Sequence, residues 1–273
     1  MKKVTIFIII LIAVFCLLAI FLAWNNLTIK VSELSFHDER LPQEADGLVV
    51  AHISDIHDSP LMDDVALKIH EKNPDIIVIT GDLTSRTAED RTHVFAFVKK
   101  LVCIAPTLYV LGNHEFAISD VDAYIQNIQD TGVIVLRNKT FIYKGISWIG
   151  IDDRHFWQGK KTPETTENII HSFLKETAGK EPYSILLAHR PRISVYDQTG
   201  VSLVFSGHHH GGMWRFPGIP GVFSPDDGFF PQYSAGFYEG NEITMYLSRG
   251  IGNSGRSFRL FNRPDLSYIT LHK

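Results

Sequence analysis

The sequence has little cysteine: only Cys16 and Cys103 occur among its 273 residues, and they form no Cys-x-x-Cys pair. Cys16 lies in an apolar N-terminal run and Cys103 in the middle of the chain, so a disulfide between them is not expected. A structural zinc site built from thiolates is not expected either. Any metal that binds this protein must therefore be held by oxygen atoms and imidazole nitrogens.

An excess of positive charge is also missing. The formal net charge is −4, and the sequence shows neither a basic patch nor an internal repeat. Proteins that bind nucleic acid through its phosphates normally carry such a patch, so we expect no nucleic-acid binding. The composition, 45% hydrophobic and 21% charged, is typical of a folded protein with a sizeable core. The length suits one large domain or two small ones.

Charged residues are absent from the stretch between Val4 and Ala23, which is apolar throughout. About 20 such residues are enough to cross a bilayer as a helix. Lys2 and Lys3 precede the stretch and Trp24 follows it, so the positive-inside rule places the N-terminus in the cytoplasm and the rest outside.

We therefore predict an uncleaved single-pass anchor over residues 1–24, lead-in strands over 25–46 and a catalytic domain over 47–273. A cleaved signal peptide is the main alternative, although no good Ala-x-Ala site precedes Asn25. A buried core helix is the third interpretation.

Six apolar runs of the kind that form β-strands each end just before residues able to bind a metal or a phosphate. The runs are Leu48–Ser54, Asp75–Thr80, Thr107–Leu111, Ser147–Ile151, Ser184–Ala188 and Val201–Ser206. In the same order they are followed by Asp55 and His57, by Asp82, by Asn113 and His114, by Asp152 and Asp153, by His189, and by His208 and His210. Because open α/β sheets bind ligands beyond the carboxyl ends of their strands, we expect these side chains to share one rim.

Segments with helical spacing of apolar residues lie between these strands, which predicts a mixed α/β fold. One helix is predicted to end at Asn73-Pro74. Ser119-Asp120-Val121-Asp122 is similar to a capping box, and Thr162-Pro163-Glu164 places a proline at the first position of another helix. Residues 211–240, rich in glycine, proline and aromatics, are predicted to form ordered loops.

The candidate ligands comprise two carboxylates, one amide and four imidazoles: Asp55, His57, Asp82, Asn113, His189, His208 and His210. A mixed oxygen and nitrogen set of this kind suits Mn, Fe or Zn. Seven ligands exceed the needs of one tetrahedral ion, whereas two ions that share a carboxylate would use them all. A water between two such ions loses a proton readily and becomes a nucleophile, so phosphoester hydrolysis is the predicted chemistry.

The order of these motifs resembles that of the calcineurin-like metallophosphoesterases. The matching motifs are Asp55-Ile56-His57, Gly81-Asp82, Gly112-Asn113-His114-Glu115, the single His189 and Gly207-His208-His209-His210. The C-terminal segments Ser248-Arg249-Gly250-Ile251-Gly252 and Arg263-Pro264-Asp265 are similar to those of the membrane-associated bacterial phosphodiesterase branch.

This resemblance implies a four-layer α/β/β/α sandwich and a binuclear centre. It implies that Asp55, His57, Asp82 and His210 hold one metal, and that Asp82, Asn113, His189 and His208 hold the other. Asp82 would bridge the two ions. His114 would face the substrate and assist the leaving group, while Asp153 and Arg190 are candidates for a supporting or substrate-binding role.

Two positions depart from relatives. Protein phosphatases of this superfamily carry a second aspartate shortly after Gly-Asp, but here the segment reads Gly81-Asp82-Leu83-Thr84-Ser85-Arg86. That difference argues against a protein phosphatase and leaves the orienting partner of His114 open. Met213 stands where many relatives of this branch have glutamine.

The sequence thus predicts a membrane-anchored, two-metal phosphodiesterase. One alternative is a lipid-linked nucleotide pyrophosphatase similar to UDP-2,3-diacylglucosamine hydrolase, because an anchor and an aromatic loop suit an amphiphilic substrate. That nucleotide lipid is cytosolic, so protease added to intact cells would separate the two interpretations. A metal-binding scaffold on a decayed hydrolase fold is the non-enzyme alternative.

Overall fold

The computed structural model describes residues 2–153, 163–180, 182–253 and 257–273. The helices are α1 (Lys2–Leu27), α2 (Met62–Lys72), α3 (Thr92–Val102), α4 (Val121–Asp130), α5 (Pro163–Ala178) and α6 (Ile193–Tyr196). The first seven strands are β1 (Lys30–His37), β2 (Val49–Ile53), β3 (Ile76–Thr80), β4 (Thr107–Val110), β5 (Ile134–Val135), β6 (Lys139–Tyr143) and β7 (Ile146–Gly150). The remaining strands are β8 (Ser184–Leu187), β9 (Leu203–Ser206), β10 (Phe223–Ser224), β11 (Gly228–Phe229), β12 (Gly236–Glu239), β13 (Thr244–Leu247) and β14 (Asp265–His272).

Helix α1 is apolar on all sides, and its apolar window has no residue buried against the rest of the protein. A helix with this character normally lies in an apolar environment, because no face of it prefers water. Among the described residues it is the one helix long and apolar enough to cross a membrane.

The first sheet has six strands in the order β1-β14-β2-β3-β4-β5. Strands β2 to β5 are parallel, β14 is antiparallel to β2, and β1 pairs with β14. Strand β1, which falls in the predicted lead-in segment, is thus an edge strand of this sheet. Because β2, β3 and β4 run parallel, their carboxyl ends meet at one edge.

The second sheet also has six strands, in the order β12-β13-β9-β8-β7-β6. Strands β13, β9, β8 and β7 are parallel, and the edge strands β12 and β6 are antiparallel to their neighbours. All six apolar runs that the sequence marked as strands are strands in the structure, with ends shifted by at most two residues.

Three apolar clusters hold these elements together. One contains side chains from both sheets, including Val78, Trp148 and Phe205. A second joins the first sheet to α2, α3 and α4, and a third joins the second sheet to α5 and α6. The mixed α/β prediction is therefore confirmed.

The helix ends predicted from the sequence are confirmed at two positions and wrong at one. Helix α2 ends at Asn73, which has a left-handed φ of 51°, and α5 begins at Pro163. Thr162, its predicted cap, lies outside the described residues. The prediction of a capping box at the start of α4 is wrong. Asp120 is the N-cap residue, but its side chain makes no capping hydrogen bond. Its ψ of 44° lies outside the extended region that such caps normally use.

Candidate metal centre

The carboxyl ends of β2, β3 and β4 in one sheet and of β8 and β9 in the other bring the predicted ligands together. Each ligand lies within four residues of a strand end, from Asp55 after β2 to His210 after β9. All the carboxylate and imidazole ligands are buried, as is His114. The shared rim that the sequence predicted is thus present, and it is assembled from both sheets.

Two groups of ligand atoms that share no residue are packed closely at this rim. Asp55, His57 and His210 form one group, and Asp82, His189 and His208 form the other, with the ligand atoms of each group within 4.8 Å of one another. A third group within the same limit, His57, Asp82 and His114, overlaps both of them. In the first group the Nε2 atoms of His57 and His210 are 3.2 Å apart. In the second, His189 Nε2 is 3.0 Å from His208 Nδ1 and 3.1 Å from Asn113 Oδ1.

Asp82 lies between the two groups. Its Oδ2 atom is 3.6 Å from His57 Nε2 and 3.5 Å from His189 Nε2. Its other oxygen, Oδ1, accepts a hydrogen bond from the backbone N–H of His114 at 2.9 Å. A single carboxylate therefore touches both sets of imidazoles and is held in place by the chain that carries His114.

The donor set fits divalent cations because its nitrogen lone pairs converge. His189 Nδ1 donates to the carbonyl of Thr80 at 2.8 Å, which leaves Nε2 as the ring nitrogen directed toward the other ligands. Burial lowers the pKa of His57 to about 4 and that of His208 to about 3, and it also lowers the pKa of His210. Neutral imidazole is the form that binds metals, so these three rings are ready to act as ligands at neutral pH.

Asp82 and His189 interact strongly as a charged pair. Burial alone would raise the pKa of Asp82, but the charge and hydrogen bond of His189 outweigh it and hold that pKa well below its usual range. Burial would likewise lower the pKa of His189, whereas Asp82 raises it to about 10. Binding of a cation by this pair must therefore release the imidazole proton, and affinity for the metal falls at low pH.

The backbone at the ligand positions is strained. Five of the seven predicted ligands, Asp55, His57, Asp82, His208 and His210, have φ between 47° and 73°. Non-glycine residues rarely adopt this left-handed region, and each such residue costs about 1–3 kcal/mol. Strain of this kind gathers at functional sites, where the surrounding structure forces side chains into one place.

Two motif glycines are required by close packing at the same rim. A Cβ at Gly112 would collide with the carboxylate of Asp82, and one at Gly207 would collide with Ser54 and Asp55. The glycines of Gly-Asn-His-Glu and Gly-His-x-His thus let neighbouring loops approach the ligand carboxylates.

Glu115 supports the site through hydrogen bonds to the backbone. The sequence indicated only that this residue belongs to the Gly-Asn-His-Glu motif. Its fully buried carboxylate accepts hydrogen bonds from the backbone N–H groups of Asp82 at 2.9 Å, Thr84 at 3.1 Å and Gly112 at 2.8 Å. One side chain therefore ties the loop after β3 to the loop after β4.

The structure answers which group orients His114. The backbone N–H of Arg86 donates to His114 Nδ1 at 3.2 Å, and the Arg86 guanidinium lies 3.1 Å from Nε2. Burial lowers the pKa of His114, and the charge of Arg86 adds to that effect while Asp82 opposes it. The backbone and the guanidinium of Arg86 thus face the two ring nitrogens, so Arg86 is the residue that orients His114.

Arg190 and Asp153, the two predicted supporting residues, contact each other beside the second ligand group. Arg190 Nε donates to Asp153 Oδ2 at 2.8 Å, and Arg190 Nη1 lies 3.0 Å from His208 Nε2. Asp152 turns away from the ligands and pairs with Arg137 at 3.1 Å.

Asp226 lies beside the same ligand group as Arg190 and Asp153. Nothing in the sequence of residues 211–240 indicated this position. Asp226 forms a close ion pair with Arg190, and its Oδ1 lies 3.2 Å from His208 Nε2. Burial alone would raise the pKa of Asp226, but His208 and Arg190 outweigh it and keep the carboxyl ionised. A carboxylate that accepts one imidazole N–H leaves the other ring nitrogen, here Nδ1, free to bind a metal.

Asp226→Asn is therefore expected to weaken metal binding by about 10–100-fold while the protein stays folded. The amide no longer fixes the proton on His208 Nε2 by charge, so Nδ1 is less firmly presented to a metal. Metal titration followed by calorimetry measures the change. An exchange of the exposed Asp63 on α2 for asparagine is the control; equal affinities in both variants would remove Asp226 from the site.

Comparison with known proteins places this geometry in a family. The sequence model of the family described as "Calcineurin-like phosphoesterase" matches residues 48–212, which include every predicted ligand. The chain belongs to the calcineurin-like phosphoesterases. It is accordingly a metal-dependent phosphoesterase, and its clustered histidines and aspartates suggest binding of divalent metal.

Several relatives of this calcineurin-like phosphoesterase match over most of its length. An "Uncharacterized metallophosphoesterase" of Aquifex aeolicus is 28% identical and covers 89% of this chain and 92% of its own. The metallophosphoesterase YkuE of Bacillus subtilis is also 28% identical, over 89% of this chain and 85% of its own. A solved dimetal phosphatase from Danio rerio has a TM-score of 0.47 at 11% identity, over 76% of this chain and 88% of its own, a likeness too distant to bear on function.

The names of two relatives describe them as transmembrane proteins. A "Transmembrane protein with metallophosphoesterase domain" from Danio rerio is 29% identical over 89% of this chain and 57% of its own, and one of the same name comes from Bos taurus. Together with helix α1, these names suggest membrane association.

Proposed function

We propose that the protein is a two-metal phosphodiesterase on a four-layer α/β/β/α domain. The observation that carries the proposal is the position of Asp82 Oδ2, 3.6 Å from a histidine of one ligand group and 3.5 Å from a histidine of the other. Two metals in such sites lie about 3.5–4 Å apart and need a shared ligand. The two sheets with helices on their outer faces support the layered arrangement.

The ligands divide between the two ions as the family resemblance implied. Asp55, His57, Asp82 and His210 would hold one ion, and Asp82, Asn113, His189 and His208 would hold the other. Bound Mn, Fe or Zn ions would supply Lewis-acid stabilisation of charge on phosphoryl oxygens and the activation of water.

His114 and Arg86 are proposed to act on the substrate. In its imidazolium form, His114 can donate a proton to the oxygen of the departing group as the phosphorus–oxygen bond breaks, and the ring returns to its neutral form. The guanidinium beside Nε2 belongs to an exposed side chain and can move to a phosphoryl oxygen, where arginine binds well. The same motion leaves the Nε2 proton free for the leaving group.

Beyond the charge of the proposed metal ions, the side chains at the mouth of the site add little positive charge, which favours a diester over a monoester. Arg190 is neutralised by Asp153 and Asp226, so it offers no net charge to a substrate. Within the described residues, the guanidinium that remains beside His114 is that of Arg86. A phosphate monoester carries a charge of about −1.5 to −2 at neutral pH, whereas a diester carries one negative charge.

The membrane topology is part of the proposal. Lys2 and Lys3, the first two residues of α1, favour an N-terminus in the cytoplasm by the positive-inside rule, and a catalytic domain outside it.

The test uses the full chain, purified in detergent and stripped of metal by a chelator. Addition of Mn²⁺, Zn²⁺ or Fe²⁺ should restore hydrolysis of bis(p-nitrophenyl) phosphate. We expect the rate with this diester to exceed the rate with p-nitrophenyl phosphate, since the two share a leaving group and differ in charge. The release of p-nitrophenolate measures both.

Faster hydrolysis of the monoester would contradict the diester preference and leave a phosphomonoesterase. Failure to hydrolyse either compound with any of the three metals would favour the metal-binding scaffold instead.

A further inference from the structure

The exposed apolar side chains of the domain are gathered in one place. Among the described residues after α1, twelve large hydrophobic side chains are exposed, and eight of them lie in segments 214–230 and 258–261. We refer to the exposed apolar side chains of these two segments as the aromatic face. Its most exposed members, Phe229 and Phe230, are each 70% accessible. Soluble surfaces rarely collect apolar side chains in this way unless they meet a membrane or a partner.

The end of helix α1 is attached to this same face. The side chains of Asn25 and Asn26 donate to the carbonyl of Arg259 at 2.7 and 3.0 Å, and Asn26 accepts from the Arg259 backbone N–H at 2.7 Å. The rings of Phe21 and Phe261 lie 5.1 Å apart, and the Phe261 ring lies 5.8 Å from that of Phe216. These hydrogen bonds and ring contacts therefore attach the end of the helix to the aromatic face.

The length of α1 fixes the depth of this contact. The apolar stretch from Val4 to Ala23 spans about 30 Å at 1.5 Å per residue, which equals the hydrocarbon thickness of a bilayer. Phe21 is two residues from the end of the stretch, so it lies about 3 Å inside the boundary. Trp24, whose ring lies 4.7 Å from the Arg263 guanidinium, is then at the level of the headgroups, where tryptophan is favoured. Phe261, whose ring lies 5.1 Å from that of Phe21, is therefore near this boundary.

A cleft in the aromatic face has one of the predicted ligands, His210, among its lining residues. It has a volume of about 620 Å³ and is lined by Trp214, Phe223, Phe229 and Phe258, with the ligand His210 at its wall. The lining is mostly apolar, as in sites that bind apolar chains. An apolar cleft in the aromatic face therefore borders the metal site at His210.

We propose that the aromatic face docks on the bilayer, and that the cleft takes the hydrocarbon part of a membrane amphiphile whose phosphodiester reaches the metal site. The assignment of this substrate class rests on the proposed function. The docking itself rests on α1 crossing the membrane, because that helix sets the face at headgroup depth.

Docking is tested with the full chain in phosphatidylcholine vesicles whose acyl chains carry bromine, a quencher that acts only at short range. In a Cys16→Ser, Cys103→Ser background, Phe230→Cys is labelled with an environment-sensitive fluorophore. Leu67→Cys is the matched control, since Leu67 is 54% exposed on α2. We expect the label at position 230 to be quenched several-fold more strongly than the label at 67.

Equal quenching at the two positions would overturn the docking. So would a label at 230 that is shielded from water yet untouched by brominated lipid, because a protein partner or a second copy of the chain would then cover the face. Neither measurement depends on catalysis, so the outcome is independent of the proposed activity.

The substrate class is tested with two diesters that share the p-nitrophenyl leaving group. Hexadecyl p-nitrophenyl phosphate in vesicles should give a kcat/KM at least about tenfold above that of methyl p-nitrophenyl phosphate in solution. Phe229→Ser should reduce this ratio, whereas Leu67→Ser should preserve it. A ratio near one for the unmodified protein would overturn the substrate class alone. If neither compound is hydrolysed, both the substrate class and the proposed function are wrong. The quenching result would still hold in that case.

Discussion

Asp82→Asn is expected to abolish metal binding and hydrolysis together. The Asp82 carboxylate lies 3.6 Å from a histidine of one ligand group and 3.5 Å from a histidine of the other, and its charge offsets that of the cations they would hold. Loss of a residue that merely supports a ligand costs about 10–100-fold in affinity or activity, so loss of the shared ligand should exceed that range. Metal content per chain, measured by plasma mass spectrometry, and turnover of bis(p-nitrophenyl) phosphate report the two effects.

Asp265→Asn is the matched control for Asp82→Asn. Asp265 is also a buried carboxylate with a 2.7 Å hydrogen bond, to the hydroxyl of Ser32, but it lies outside the ligand groups. It should retain metal and activity. If Asp82→Asn binds as much metal as the unmodified protein, the proposal of a bridge at this position is wrong.

Much of the fold was predictable because one physical pattern repeats. Each parallel strand is buried, so its sequence is an apolar run, and each run ends where polar ligands begin, as at Thr80 before Asp82. That pattern indicated the strands, and the shared rim followed from the parallel order. The family resemblance then predicted the four layers of the fold and assigned the ligands to the two metals. The periodicity of the sequence alone predicts neither.

The parts that the sequence did not predict depend on contacts distant in the chain. Asp226 lies 18 residues after His208, in a loop of glycine, proline and aromatics, and only the folded loop brings its carboxylate to the imidazole. The orientation of His114 depends on a backbone N–H, that of Arg86, which no side-chain pattern encodes. The left-handed φ of Asp55 and His57 is likewise set by the folded loops, since non-glycine residues rarely adopt it and no local sequence pattern encodes it.

His114→Ala is expected to keep the metals but slow turnover by about 10²–10⁴, the range for a positioned general acid. The proposed role of the His114 ring is to protonate the leaving oxygen, and the ring is not one of the seven proposed ligands. The loss should grow as the leaving group becomes more basic, because a p-nitrophenolate departs without a proton and an alkoxide does not. Turnover of p-nitrophenyl and alkyl diesters by the variant, at unchanged metal content, measures this dependence.

His171→Ala is a control for the loss of a half-buried histidine, since the His171 ring contacts only the carbonyl of Val195 among the contacts described for it. That variant should hydrolyse both esters at the original rate. A His114→Ala enzyme slowed equally for p-nitrophenyl and alkyl esters would retain a role for the ring in holding the phosphoryl group, but not in protonation. Full turnover would remove His114 from the reaction, and the Arg86 guanidinium would then be the group that meets the departing oxygen.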